Sequence, residues 1–110
     1  MTDKQWGGYG DNIYYNPEKC GLELVAVLDA DLSWEFDMVL CLRDLETKKL
    51  YLASDSGCSC PTPFEDFRSL SDLTPIENID QVREATNKDY ASWSASDRDT
   101  FLKAVADALQ

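Results

Sequence analysis

The chain of 110 residues contains no histidine. That absence removes Ser-His-Asp and Cys-His catalysis, His-ligated zinc and any imidazole acid or base. Basic residues are scarce too, 10 against 21 acids, for a formal net charge of −11. Phosphate-backbone binding needs clustered lysine and arginine, so direct nucleic-acid binding is not expected. No apolar run approaches the roughly 20 residues of a membrane span, and Met1 to Gly10 carry no basic-then-apolar leader. The expectation is a cytoplasmic protein without a membrane partner. Four cysteines, Cys20, Cys41, Cys58 and Cys60, are too few for a disulfide scaffold, and in a reducing compartment they are expected as thiols.

What is present suffices for one core. Hydrophobic residues make up 44% of the chain and aromatics 11%, which argues against disorder and for a single domain over 1–110. Residues 1–16 read as an irregular arm, with three glycines among Trp6, Tyr9, Tyr14 and Tyr15. No strand precedes that glycine cluster and no Lys-Ser/Thr follows it, so it is not a phosphate loop.

From Leu22 the apolar positions alternate: Leu22, Leu24, Ala26, Leu28 and Ala30, then Trp34, Phe36, Met38, Leu40 and Leu42, then Leu50 and Leu52. Period two predicts three strands of an antiparallel meander over 22–54, with the even positions on one buried face. A hairpin centred on Leu32 pairs Asp29 with Glu35 and Val27 with Asp37. One centred near Glu46 pairs Leu42 with Leu50 and Leu40 with Leu52. Residues 55–75 read as an ordered Cys/Pro loop. A short helix is expected from Asn78, capped with Gln81 and turning Ile79, Val82 and Ala85 inward. A last helix starts at Ser94 or Ser96 and buries Phe101, Leu102, Val105, Ala106 and Leu109. The predicted class is α+β, with two C-terminal helices packed on the even face.

Three segments resemble a family of small proteins encoded by phages of actinobacteria and known as a domain of unknown function. They are Tyr15-Asn16-Pro17-Glu18-Lys19, Leu32-Ser33-Trp34-Glu35-Phe36-Asp37, and the block Asp55-Ser56-Gly57-Cys58-Ser59-Cys60-Pro61-Thr62-Pro63-Phe64-Glu65-Asp66. The likeness covers residues 14–75. It implies a phage accessory protein working in the cytoplasm of an infected bacterium, and it implies no reaction. Of the four cysteines, Cys58 and Cys60 belong to the shared block, and Cys20 and Cys41 are not part of the likeness.

Two features carry candidate chemistry. Between Lys19 and Arg43 there is no basic residue, while Glu23, Asp29, Asp31, Glu35 and Asp37 supply five negative charges at odd positions. On the expected meander they share one face, which would steer a basic host protein and compete with nucleic acid for it. The plainer alternative is a solvated sheet edge. The second feature is Cys58-Ser59-Cys60. Two thiols there offer a soft-metal or redox site, with Cys20 and Cys41 completing a four-thiolate set. Zinc sites favour pairs spaced C-x₂₋₄-C, however, and Asp55 and Glu65 disfavour a thiolate nearby. Cysteines packed as small hydrophobes are the simpler account. No catalytic motif emerges, and neither an enzyme nor a cofactor is expected. Protein binding leads, thiol chemistry is the alternative, and a minor virion or assembly component is third.

Overall fold

The computed structural model describes residues 12–30, 35–58, 63–64, 66–87 and 93–110, without the side chains of Glu35 and Cys58. Among the described residues, the sheet has four antiparallel strands in sequence order: β1 (Leu22–Asp29), β2 (Glu35–Asp44), β3 (Leu50–Cys58) and β4 (Thr74–Ile76). Two helices follow, α1 (Ile79–Thr86) and α2 (Ala95–Leu109). The expected α+β class holds, but the sheet has a fourth strand. β4 pairs Leu50 with Ile76 and Leu52 with Thr74 across the edge of β3. A proline inside a three-residue run argues against a strand, and only an edge position tolerates one.

Both hairpin registers differ from the expected ones. In the second, Arg43 lies opposite Leu50 and Leu42 opposite Tyr51. The turn explains the shift. The Asp44 carboxylate accepts the Glu46 N–H at 2.9 Å, and Lys48 turns the chain with φ +67°. Asp44 N–H then donates to the Lys49 carbonyl at 2.8 Å, closing a loop of even length. In the first hairpin Asp29 lies opposite Met38, not Glu35, and Val27 opposite Leu40, not Asp37. The ladder also slips by one residue between Leu24 and Ala26, a bulge at Val25.

A one-residue slip moves side chains to the other face, so the sheet is not apolar on its even side alone. Leu22, Met38, Leu40, Leu42, Tyr51 and Ala53 form one core with Ile13, Phe64 and Leu73. Leu28, Val39, Cys41, Leu50 and Leu52 form a second with Val82, Trp93, Phe101 and Val105. The helices therefore cover the odd positions of β2, not the even ones. Residues 12–20, 63–64 and 66–73 cover the even positions. The uninterrupted apolar stretch Met38–Leu42 suits a strand buried on both faces.

The helix signals are legible. Asn78 accepts the Gln81 N–H at 3.1 Å while the Gln81 side chain accepts from Asn78 N–H, a reciprocal cap. Ser94, rather than Ser96, caps α2 by accepting the Asp97 N–H at 3.0 Å. Inward from α1 point Val82 and Thr86, whereas Ala85 is exposed. Arg98 ties the helices together: its Nε donates to Thr86 Oγ1 at 3.0 Å and its Nη2 to the Arg83 carbonyl at 2.9 Å. A guanidinium at the last carbonyls of α1 also sits favourably in that helix's dipole.

Candidate functional site

Among the described residues, Asp55 and Asn12 hold the Cys/Pro block. Asp55 ends the apolar part of β3. Its Oδ1 accepts the Ser56 N–H at 3.0 Å and its Oδ2 accepts the Phe64 N–H at 2.9 Å, across nine residues. Asn12 grips the same loop from the other side. Its Nδ2 donates to the Pro63 carbonyl at 2.9 Å, while its Oδ1 accepts from Tyr14 N–H and Tyr15 N–H. Between these clasps Phe64 is fully buried, with ring centroids 6.3 Å from Tyr14 and 5.4 Å from Phe67. Gly57 stands opposite Phe36, and a Cβ there would come within 3.3 Å of that ring. Asp55, Gly57, Pro63 and Phe64 thus act as the scaffold of the loop. Ser59, Cys60, Pro61 and Glu65 lie outside the described residues, as does the Cys58 side chain.

The cysteines do not form one set. Cys20 is buried in the core under residues 12–20, and Cys41 in the core under the helices, on opposite faces of the sheet. Cys58 pairs with Glu35 at one end of β2, while Gly21 accepts a hydrogen bond from Leu45 N–H at the other. At ~3.3 Å per residue those ends are about 30 Å apart, so Cys20 cannot share a metal with Cys58. Burial pushes the Cys41 thiol up to about 12, against a small opposing effect of Arg43. A thiol held neutral is neither nucleophile nor zinc ligand. Among the described residues, no three His, Cys, Asp or Glu side chains gather to hold a metal ion.

The raised Cys41 value fixes a pH dependence. Above pH ~9 the unfolded chain releases this proton and the folded one keeps it, so stability falls as pH rises towards 12, by up to about 1.4 kcal/mol per unit. Cys41→Ala is expected to flatten that alkaline limb in urea titrations run from pH 8 to 10.5. An unchanged limb would show that Cys41 ionises as readily in the folded protein as in the unfolded chain.

The acids are distributed by the bulge. Glu23 faces Arg43 and meets it at 3.4 Å, on the side that carries the helices. Asp37 shares that parity on β2. Asp29, beyond the bulge and opposite Met38, belongs to the other face, the one that carries Tyr14. There burial, then the Asp29 carboxylate, then Tyr15 raise the Tyr14 hydroxyl above its ordinary value. The expected single acidic face is therefore split across both sides of β1. Asp31 and the Glu35 side chain lie outside the described residues. An acid that the strand pattern did not point to, Asp97 in the first turn of α2, stands near β1 as well. Nothing in its spacing marks it as a neighbour of β1.

A family model described as a domain of unknown function (DUF7574) matches residues 11–110. The chain belongs to this family. The match runs from the Asn12 clasp through both cores to the end of α2, so it takes in the whole described fold. No curated protein and no solved structure gives a match. Among the described residues, no helix is long and apolar enough to cross a membrane.

Proposed function

We propose that this protein is a bacteriophage accessory protein that acts by binding, with a basic surface of a host protein as its partner and no catalytic step of its own. The observation that carries this reading is the composition of β1 and its surroundings. Glu23 and Asp29 are exposed on opposite sides of one strand, with Asp97 close by, in a chain of net charge −11. The surplus is not a tail: residues 1–55 carry 11 acids and 5 bases, and residues 56–110 carry 10 and 5. Fixed carboxylates of this kind raise association rates with a basic surface and select against acidic ones.

The test is a pull-down from host lysate with the native protein and with Asp29→Lys/Glu35→Lys/Asp37→Lys. The native protein is expected to recover a basic partner at low salt, and the variant at least tenfold less. Recovery of no partner, or equal recovery by the two proteins, overturns the proposal.

A further inference from the structure

We infer that the outer edge of β1 takes up a basic, extended peptide segment as an added strand, seated in the groove between β1 and α2. The inference rests on the acidic-partner proposal and specifies how the partner is held.

The sheet has two ends, and they differ. β4 is three residues long with Pro75 at its middle, which blunts it as a template. β1 runs for eight residues, about 26 Å, and among the described residues no strand lies beyond it. Ala30 N–H donates inward to the Asp37 carbonyl at 3.1 Å. In an antiparallel ladder that phase turns the backbone of Val27 outward, where its groups can pair with another chain. Val27 is also an exposed apolar side chain, at 37% of its surface.

A groove of about 390 Å³ runs beside this edge. Val25, Val27 and Asp29 line it from β1, Asp97, Thr100 and Ala104 from α2, and Phe101 is buried at its base. Among the described residues, Asp29 and Asp97 are its ionisable lining groups. Strand addition uses such a place well: main-chain hydrogen bonds supply affinity, and alternate side chains read the two sides. A strand laid along β1 sends successive side chains to opposite faces. One set approaches Asp29 and the other approaches Asp97 and Glu23, so an occupant alternating lysine or arginine with small apolar residues matches both. A second copy of this chain does not match, because its own β1 brings the same carboxylates.

The experiment is an NMR titration of ¹⁵N-labelled protein with an eight-residue peptide alternating lysine and valine. A second peptide of the same sequence, methylated at every backbone nitrogen, keeps the charges but cannot donate to a strand edge. The first peptide is expected to shift the β1 amides and bind at least tenfold more tightly than the second. Thr100→Trp, which fills the groove from an exposed position, is expected to weaken it at least tenfold. Equal binding of the two peptides overturns strand addition and leaves the acidic-surface proposal standing. So does failure of the first peptide to bind a protein that still captures its partner in a charge-dependent way. Slow exchange of the Val27 amide in the free protein would mean that the chain itself or a second copy already fills the edge, and would also overturn it.

Discussion

Phe64→Ala is expected to remove about 4 kcal/mol of stability, measured as a lower urea midpoint at unchanged slope. That is a large share of the roughly 5–15 kcal/mol that holds a domain of this size together. Phe64 is fully buried, and its ring is the link between Tyr14 and Phe67 in the core opposite the helices. Its backbone has φ +65°, the left-handed region, which a bulky side chain occupies only where its surroundings hold it there. A second substitution separates these effects. Phe64→Gly loses the same ring but relieves the backbone, so it is expected to be about 1 kcal/mol less harmful than Phe64→Ala. If glycine proves the worse of the two, backbone strain at Phe64 is refuted and ring burial alone remains.

Asp55→Ala is expected to cost about 2–3 kcal/mol, because a carboxylate accepting two backbone N–H groups is lost from a partly buried position. In thermal unfolding this corresponds to a drop of about 10 °C for a chain of this length. Asp55→Asn keeps one acceptor oxygen and is expected to recover about half of the loss. An acid that merely keeps the surface wet would change stability by less than about 0.5 kcal/mol on replacement. A result in that range would remove Asp55 from the clasp and leave Asn12 as its only described member. The near-ultraviolet circular dichroism of the aromatic cluster should weaken in step with stability, since Asp55 sets where Phe64 sits.

The three long strands and both helix caps were legible because their signals are local. Alternation from Leu22 to Leu52 marks strands, and Asn78 with Gln81 or Ser94 with Asp97 marks helix starts. Register is not local. Whether Leu42 faces Leu50 or Tyr51 depends on one residue of loop length, decided by the Asp44 carboxylate and the left-handed Lys48. The bulge at Val25 left no mark in the pattern, since Leu24, Val25 and Ala26 are all apolar. These two shifts together turned an expected one-sided sheet into a two-sided one. They also separated Asp29 from Glu23 and Asp37, so that part of the candidate site read as one face belongs to two. The expected loop over 55–75 begins too early, because Asp55–Cys58 continue β3, and the roles of Asp55 and Asn12 were not legible. Both depend on contacts to backbone groups far along the chain, Phe64 and Pro63, which no residue spacing encodes.

β2 is a party wall between two compartments, and β3 extends it, with Tyr51 and Ala53 on one side and Leu50 and Leu52 on the other. Neighbouring residues along it report on different rooms: Leu40 and Leu42 on the one closed by Ile13 and Phe64, Val39 and Cys41 on the one closed by Phe101 and Val105. Damage to a single residue of this strand is thus heard first on one side, and a probe placed one position along listens to the other.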